Sequence, residues 1–292
     1  MEELLFIINP TANSGKAKDL EPIIKSKMEQ YHKNFKVILT TEPHEATDIA
    51  YDSKIETVIA VGGDGTVTEV AKGIINRGYG TLGILPGGTG NDFRKSLNIP
   101  EDIDKAIENI IKGNKIKVDV GVANGYTFLN VGGIGLDVEV LKTLRRVKKH
   151  IKGNIAYIIS VIITLFKFKR MDVRLEIDGK KSDKNLVLFG AGNGRYIGGG
   201  LQLIPQAKSG DGYLHSTVVE DVRNLRILTI FPEIFKGTHL RHKKYVETFK
   251  FKNAKIFSDK ELYINLDGEV FYGGKEIDFS LADKKLEVIV PK

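Results

Sequence analysis

The chain has 292 residues, and its 41% of apolar and 28% of charged residues are ordinary for a globular protein, which excludes a disordered or fibrous chain. It contains no cysteine, which excludes a disulfide framework and a thiolate metal site. The net charge of +7 favours anionic partners without choosing among nucleic acid, membrane and nucleotide. The N-terminus fits no secretory signal, so we expect a cytoplasmic protein.

The first third of the sequence alternates short apolar runs with helical patterns. The predicted strands are Leu4–Ile8, Lys36–Leu39, Thr57–Val61, Thr81–Leu85 and Ile116–Val120. The predicted helices are Lys16–Gln30, Glu45–Tyr51, Val67–Asn76 and Ile103–Lys112. Strands that alternate with helices are typical of βαβ units. We therefore expect an N-terminal, Rossmann-like α/β domain over residues 1–122, with a largely parallel sheet.

After residue 122 the pattern changes to short strands separated by turn signals. The predicted strands are Thr127–Val131, Val173–Ile177, Leu186–Gly190, Tyr213–Val219, Val246–Phe251, Ala254–Phe257, Tyr263–Leu266 and Leu286–Val290. Asp-Gly pairs at residues 178–179, 211–212 and 267–268 are typical of tight turns between antiparallel strands. The sequence therefore predicts a second domain, an antiparallel β-sandwich over residues 123–283.

Glycine is over-represented, at 31 of 292 residues, or about 11% against an average of about 7%. The strand Thr57–Val61 leads into Gly62-Gly63-Asp64-Gly65-Thr66, and Thr81–Leu85 leads into Pro86-Gly87-Gly88-Thr89-Gly90-Asn91-Asp92. Glycine lets a backbone come close to a ligand, and the helix that follows points its free N–H groups at that ligand. Two such loops on successive strands predict a phosphate-binding site, with Asp64 placed to hold a metal or a ribose.

Other functional motifs do not match. Gly15-Lys16 is followed by Ala17 where a P-loop has serine or threonine, and the Gly78/Gly80/Gly83 spacing leads into a strand instead of following one. The sequence has no serine-hydrolase or zinc-enzyme motif. It has no nucleic-acid-binding motif either, so we expect no nucleic-acid partner.

One segment interrupts the β pattern of the second half. Leu141–Lys152 contains six lysine and arginine residues and no acid, and the twelve residues Ile155–Phe166 are almost wholly apolar. A membrane span needs about 20 apolar residues, so this run is too short to cross a bilayer. Two interpretations stay open, a buried helix of the second domain and a surface that contacts anionic lipid.

The glycine loops carry a resemblance to a known family. Gly62-Gly63-Asp64-Gly65-Thr66 resembles the loop shared by NAD kinases, 6-phosphofructokinases and diacylglycerol kinases. The run from Leu85 to Phe93 resembles the catalytic domain of diacylglycerol and sphingosine kinases more narrowly. Further matches are Asn9-Pro10 with Ser14-Gly15-Lys16, the run from Phe128 to Asp137, Gly198-Gly199-Gly200, Pro205-Gln206-Ala207 through Asp211-Gly212, and Leu266-Asp267-Gly268-Glu269. The chain thus resembles a soluble, diacylglycerol kinase-like lipid kinase.

The resemblance implies site residues in both domains and a final segment, residues 284–292, that returns to the first domain. The residues it implies for ATP binding are Asn9, Lys16, Thr41, Gly63, Asp64, Gly65, Thr66, Gly88, Thr89 and Asn91. It implies that Asp64, Asp92 and Asp119 hold a catalytic Mg²⁺, that Asp267 is the general base, and that Glu269 assists with the phosphates or the metal. A structural Mg²⁺ would lie at Lys208, Asp211 and Tyr213. Relatives often have a further acid just upstream, where this chain has Lys208-Ser209-Gly210.

The function implied by the resemblance is the ATP- and Mg²⁺-dependent phosphorylation of a lipid hydroxyl, with diacylglycerol converted to phosphatidic acid. Peripheral association with an anionic membrane is a further hypothesis, which the basic residues of Lys142–Lys152 suggest. A homodimer is also open, since relatives often form dimers. Three alternatives stay open: another lipid acceptor such as phosphatidylglycerol or a sphingoid base, a soluble acceptor such as NAD, and a nucleotide- or lipid-sensing module without turnover.

Overall fold

A computed structural model describes residues 3–148, 151 and 154–292. The chain forms two compact units, Met1–Asp119 with Asp283–Lys292, and Val120–Ala282. The coarse fold expected from the sequence is confirmed, since the first unit is α/β with a mainly parallel sheet and the second has an extensive antiparallel sheet.

The secondary-structure elements are numbered here in chain order. The strands are β1 Glu3–Ile8, β2 Asn34–Leu39, β3 Thr57–Gly62, β4 Thr81–Pro86, β5 Asn114–Val118, β6 Gly121–Ala123, β7 Tyr126–Phe128, β8 Val131–Gly135, β9 Met171–Ile177, β10 Lys180–Gly192, β11 Leu214–Glu220, β12 Val246–Phe251, β13 Asn253–Leu266, β14 Glu269–Leu281 and β15 Leu286–Val290. The α-helices are α1 Leu20–Gln30, α2 Glu45–Asp52, α3 Asp64–Arg77, α4 Asp92–Ser96, α5 Ile103–Lys112, α6 Leu136–Val147, α7 Asn154–Lys167 and α8 Asn224–Ile230. Short 3₁₀ segments are Ala12–Asp19, Phe231–Lys236 and Thr238–Arg241.

The sheet of the first unit has the order β2-β1-β3-β4-β15-β5. Its strands are parallel from β2 to β15, and every residue of β3 and β4 is buried, as expected where helices cover both faces of a sheet. The strand predicted over Ile116–Val120 lies two residues earlier, as β5. It pairs antiparallel with β15, because β15 takes the parallel place beside β4.

The first helix begins later than the pattern over Lys16–Gln30 predicts. Asn13, Ser14 and Gly15 have φ values of 52°, 58° and 92°, and such left-handed residues cannot continue a right-handed helix. Pro22 also fixes the start, because proline fits only the first turn of an α-helix. The regular helix α1 therefore begins at Leu20.

The strands of the second unit belong to one hydrogen-bonded network. Its order is β12-β11-β10-β8-β13-β14-β6-β7, with β9 paired to both β10 and β13. The long strands β10 and β13 each pair with β9 near their first half and with β8 near their end. Two separate sheets, as in the predicted sandwich, are thus not confirmed. The core of this unit contains four fully buried phenylalanines, Phe128, Phe189, Phe251 and Phe279.

Candidate active site

The two glycine loops of the first unit contact each other through their backbones. The Gly87 N–H donates to the Gly62 carbonyl oxygen at 2.8 Å. A Cβ atom added to Gly88 would lie 2.3 Å from the Gly63 Cα. Since a distance that short is not tolerated between carbon atoms, glycine is required at this contact. The glycines therefore have a structural role, in that they let the loops after β3 and β4 touch.

Asp64 joins the first loop to the second. It is the first residue of α3, and its Oδ1 accepts a hydrogen bond from the Phe93 N–H at 3.1 Å. The Asn91 and Asp92 amides also stabilise its carboxylate, although burial has the larger effect and raises the pKa of Asp64 above its ordinary value. Because these three amides begin α4, Asp64 caps a helix that lies 29 residues further along the chain.

Asn91 and Asp92 complete the second loop. Asn91 is buried with a left-handed φ of 53°, and its Nδ2 donates to the Gly88 carbonyl oxygen at 2.9 Å. Asp92 is only 4% exposed, and its Oδ1 lies 3.7 Å from the Lys95 ammonium. A Cβ atom on Gly90 would lie 2.6 Å from Asp64 Oδ2 and 4.0 Å from Asp92 Oδ2. The structure therefore places both carboxylates beside Gly90.

The third acid predicted for the catalytic metal, Asp119, has a different partner. It is 3% exposed, and its Oδ1 forms an ion pair with Lys285 at 2.9 Å. Among residues 3–148, 151 and 154–292, no three His, Asp or Glu side chains form a group that could hold a metal ion. Mg²⁺ is commonly bound by one or two carboxylates together with substrate phosphates. Asp64 and Asp92 fit such a partial ligand set.

The other predicted nucleotide contacts lie at or near the ends of neighbouring strands. Asn9 follows β1, its N–H donates to the Val61 carbonyl oxygen at 3.1 Å, and its Oδ1 accepts from the Thr11 amide at 3.0 Å. Lys16 is exposed in the segment between β1 and α1. Thr41 is exposed beyond β2, and its hydroxyl donates to Glu45 Oε2 at 3.1 Å. Because β1, β2, β3 and β4 are parallel, these groups share one edge of the sheet with the glycine loops.

In the second unit, Asp267 lies in the two-residue turn between β13 and β14. It has a left-handed φ of 50°, and Gly268 follows with 93°. Its carboxylate accepts three backbone hydrogen bonds, from Leu129 at 2.7 Å, Asn130 at 2.9 Å and Val131 at 3.0 Å. Three N–H donors on one carboxylate hold it in a fixed position. The predicted assistant Glu269 is the exposed first residue of β14.

These bonds explain why the strand predicted over Thr127–Val131 is divided. β7 ends at Phe128 and β8 begins at Val131. The Leu129 and Asn130 amides turn toward the Asp267 side chain instead of a neighbouring strand.

A second Asp-Gly turn in the same unit has closely similar geometry. Asp178 and Gly179 join β9 to β10 with φ values of 45° and 83°. The Asp178 carboxylate accepts from the Lys252 amide at 3.1 Å and from the Asn253 amide at 3.0 Å. In both turns the aspartate N–H also donates to a carbonyl oxygen, that of Val131 for Asp267 and that of Asn253 for Asp178. The amide of the same residue donates to the aspartate side chain. Asp178 is therefore a matched structural counterpart of Asp267.

Two residues beside the Asp267 turn were not predicted as site residues. Asp137 is the second residue of α6, is 6% exposed, and its Oδ2 accepts from Asn265 Nδ2 at 3.0 Å. Burial raises the pKa of Asp137 from 3.8 to about 6. Asn265 Oδ1 in turn accepts from the Gly268 N–H at 2.9 Å. Asp137 ends the run from Phe128 to Asp137 that is part of the family resemblance. Nothing in the sequence predicts its contact with Asn265.

The residues predicted for a structural Mg²⁺ form contacts within the protein. Asp211 Oδ2 lies 3.1 Å from His215 Nε2, and Asp211 Oδ1 accepts from the Tyr213 amide at 3.2 Å. Lys208 is exposed. Binding of Mg²⁺ at Lys208, Asp211 and Tyr213 stays a prediction.

An apolar cavity of about 80 Å³ lies within the second unit. Its lining comes from α6, α7, α8, the strands β10 and β11, and the segments that follow β10 and α8, and includes Val140, Tyr157, Leu203, Ile227 and Phe231. Asp137 and His239 are the titratable side chains deepest in this wall, at 6% and 2% exposure. His239 Nε2 lies 3.2 Å from the Leu203 carbonyl oxygen, and burial lowers the pKa of this histidine. The cavity suits a hydrocarbon chain more than a polar ligand.

The diacylglycerol kinase catalytic domain family matches residues 3–123. A curated diacylglycerol kinase of Staphylococcus carnosus (strain TM300) is 32% identical in an alignment that covers 98% of this chain and 94% of the relative. The chain belongs to the diacylglycerol kinase family. As a member of this family it is a kinase, which confirms the enzyme class implied by the sequence resemblance.

Further comparisons cover both units of this diacylglycerol kinase family member. The YegS C-terminal NAD kinase beta sandwich-like domain family matches residues 130–290. A diacylglycerol kinase of Staphylococcus epidermidis is 33% identical in an alignment that covers 98% of this chain and 92% of the relative.

Solved structures show the same fold. A diacylglycerol kinase of Bacillus anthracis str. Sterne has a TM-score of 0.74 at 26% identity, with 99% of this chain and 97% of that chain covered. An NAD kinase of Archaeoglobus fulgidus, solved with ATP, has a TM-score of 0.51 at 11% identity, with 100% and 94% covered. The likeness to the NAD kinase concerns the fold alone.

Proposed function

We propose that the chain transfers the γ-phosphate of ATP to the hydroxyl group of a lipid, with diacylglycerol as acceptor and phosphatidic acid as product. In this reaction the lipid oxygen forms a bond to the γ-phosphorus, the bond from that phosphorus to the ADP oxygen breaks, and the hydroxyl proton passes to a base. The observation that carries the proposal is the pair of glycine loops joined by Asp64, in a chain of the diacylglycerol kinase family.

The first unit supplies the phosphate-binding groups of this proposal. The N-terminus of α3 presents backbone N–H groups beside Gly63 and Gly65, and Lys16 adds a mobile positive charge. Asp64 and Asp92 would hold Mg²⁺, and Asp119 would join them in place of its contact with Lys285. The metal would neutralise phosphate charge. In phosphoryl transfer such positioning and charge stabilisation account for most of the catalysis.

Asp267 is our candidate for the general base. The amides of residues 129–131 hold its carboxylate in one position. A carboxylate is a common general base for a hydroxyl proton. Its fixed position in a tight turn suits this role, because a base must lie within hydrogen-bond reach of the proton that it takes.

Two features of the second unit support a lipid as the acceptor. The cavity of about 80 Å³ has an apolar lining, which suits contact with a part of an acyl chain. Helix α7 buries one face and exposes another that is also apolar, with Ile155, Ile158, Ile162 and Phe166 exposed by 64%, 39%, 40% and 80%. An exposed apolar stripe of this kind is unusual on a protein that meets only water.

We further propose peripheral contact with an anionic membrane through α7, at the cytoplasmic face. Helix α6 carries Lys142, Arg145 and Arg146 before this stripe, and Lys167 ends α7. Lys149 and Lys152 of the predicted basic run lie outside the described residues. Positive charge beside an apolar helix face favours an anionic lipid surface. No described helix is long and apolar enough to cross a membrane.

A lipid-panel kinase assay tests the proposed function. Labelled ATP and Mg²⁺ would be supplied with mixed micelles of diacylglycerol, phosphatidylglycerol or a sphingoid base, and with NAD in solution. The proposal predicts labelled phosphatidic acid as the main product. A faster reaction with another lipid would change the acceptor, preference for NAD would exclude a lipid acceptor, and ATP binding without any product would indicate a sensing module.

A further inference from the structure

A buried polar contact supports the turn that carries Asp267. It joins two residues that lie 128 positions apart in the sequence. Asp137 Oδ2 accepts a hydrogen bond from Asn265 Nδ2 at 3.0 Å, and Asn265 Oδ1 accepts one from the Gly268 N–H at 2.9 Å. Asp137 and Asn265 are both 6% exposed. These bonds link the start of α6 to the turn through a single side chain.

The orientation of the Asn265 amide follows from its two neighbours. A carboxylate only accepts hydrogen bonds, so Asp137 requires the Nδ2 group of Asn265 to face it. The carbonyl oxygen of the amide is then directed to the Gly268 N–H, which only donates. Asp137 thus sets the orientation in which Asn265 can bind the turn.

The surrounding backbone leaves room for this contact at a glycine. Asn265 pairs with Gly133 across the strands β13 and β8. A Cβ atom on Gly133 would lie 2.8 Å from Asp137 Oδ2, closer than unbonded carbon and oxygen approach. Any larger residue would displace the Asp137 carboxylate from Asn265. The contact between the Asp137 carboxylate and the Asn265 amide therefore requires glycine at position 133.

The matched turn shows what Asn265 adds. At both turns the aspartate side chain binds backbone amides and its N–H binds a carbonyl oxygen. Of the two turn glycines, Gly268 donates its N–H to a side chain, the Oδ1 of Asn265, whereas the Gly179 N–H meets no side-chain acceptor among the described residues. The Asp178 turn therefore forms without such a support, which means that the Asn265 contact is not needed to make an Asp-Gly hairpin.

We infer that Asn265 and Asp137 are positioning residues for Asp267, which keep its carboxylate at the place where it takes the acceptor proton. This inference rests on the proposed role of Asp267. Neither residue needs to touch the lipid or the nucleotide. Their effect reaches the reaction through the backbone of Gly268, the next residue after Asp267.

An exchange of the two side chains tests this inference. In Asn265→Asp two carboxylates face each other, which is unfavourable unless one takes a proton or moves away. In the double variant Asp137→Asn with Asn265→Asp, the amide of residue 137 donates to the carboxylate of residue 265, which still accepts from Gly268. We expect Asn265→Asp to lower kcat by roughly 10–100-fold, the size of a small misplacement of a reacting group. The KM for ATP should stay unchanged, and the double variant should regain most of the lost kcat.

Amide hydrogen exchange of the protein without ATP or lipid gives a second readout that does not depend on activity. Asn265→Ala removes both bonds without adding charge, and we expect faster exchange at Gly268, Leu129 and Asn130 than in the unmodified chain. Asp178→Asn serves as the control, with faster exchange at Lys252 and Asn253 and an unchanged kcat.

The outcomes separate the inference from the proposed function. Unchanged exchange at Gly268 in Asn265→Ala, or a folded double variant that stays as slow as Asn265→Asp, would overturn the inference. Full activity in Asp267→Asn would instead overturn the proposed role of Asp267, and the exchange data would still report whether Asn265 holds the turn.

Discussion

The Asp64 carboxylate accepts a hydrogen bond from the Phe93 amide at 3.1 Å and so joins the two glycine loops of the first unit. One side chain thereby serves two purposes in our account. It caps α4, and it lies beside Asp92 and Gly90 where a metal and phosphates would bind. Variants of Asp64 can separate these purposes, because asparagine retains an oxygen acceptor for the amide while it loses the charge.

Asp64→Asn should lower the rate of phosphoryl transfer by about 100-fold or more, as expected when a preorganised charged group is lost. The fold should remain, because the asparagine oxygen can accept from Phe93. Asp64→Ala should also lower the free energy of unfolding by about 1 kcal/mol, the usual effect of a lost helix cap. Initial rates and urea denaturation measure the two effects. A wild-type rate in Asp64→Asn would contradict the metal role.

Gly88→Ala and Gly65→Ala form a matched pair for the glycine loops. The added Cβ at Gly88 would lie 2.3 Å from the Gly63 Cα, whereas the position at Gly65 has no atom within 4 Å. We expect Gly88→Ala to destabilise the fold by about 1–3 kcal/mol, as overpacking does. Gly65→Ala should change stability by less than about 0.5 kcal/mol and still weaken ATP binding.

Urea denaturation and calorimetric titration with ATP measure both properties of this pair. If Gly65→Ala bound ATP as tightly as the unmodified chain, the predicted contact between Gly65 and the phosphates would be wrong.

Asp137 gives the protein a defined pH dependence of stability. Its pKa rises from 3.8 to about 6 on folding, because burial disfavours the charged form. The folded state therefore binds the proton more tightly, so the stabilisation is complete at low pH and is lost as the pH rises through about 6. Between pH 5 and pH 7.5 the free energy of unfolding should fall by about 1.4 kcal/mol. The fall takes place over about one pH unit, from pH 5 to the pKa of about 6, at 1.36 kcal/mol for each unit.

In Asp137→Asn the free energy of unfolding should not fall in this way. Relative to the unmodified chain, the variant should therefore gain about 1.4 kcal/mol of stability between pH 5 and pH 7.5. Urea denaturation of both proteins at the two pH values provides the measurement. A difference between the proteins that stays constant with pH would show that Asp137 does not titrate in this range.

Helix α7 should bind anionic vesicles through its exposed apolar stripe. Phe166→Ser removes its most exposed member, and we expect about 10- to 100-fold weaker binding, because burial of a phenylalanine contributes about 1.5–3 kcal/mol. Tyr51→Ser, at an aromatic residue that is 52% exposed in the first unit, is the control. Vesicle sedimentation measures both. Equal binding to neutral and anionic vesicles would remove the electrostatic part of the proposal.

Much of the first unit could be predicted from the sequence, because its signals are local. Apolar, β-branched runs such as Thr57–Val61 and Thr81–Leu85 form buried strands, and the glycines that follow them mark the loops. Membership of the diacylglycerol kinase family was likewise visible in these loops. The antiparallel pairing of β5 with β15 was not predictable in this way, since its partners lie far apart in sequence.

The second unit shows more clearly where sequence reasoning stops. Asp267 was found through its Asp-Gly turn and the family resemblance, but the same pair at Asp178 has almost the same geometry. The contact between Asp137 and Asn265 spans 128 residues, and nothing local in the sequence announces it. Burial and hydrogen bonds of the folded chain distinguish the two turns, and these depend on tertiary structure.

The rate of phosphatidic acid formation in Asp267→Asn compared with Asp178→Asn decides whether Asp267 is the general base. Both substitutions remove one carboxylate from an Asp-Gly turn. The asparagine oxygen can serve both amides at residue 178 and two of the three amides at residue 267, so the variants differ by one backbone hydrogen bond. Loss of a general base should lower kcat by about 100–10,000-fold in Asp267→Asn, while Asp178→Asn keeps the rate of the unmodified chain. Equal rates in the two variants would contradict the account.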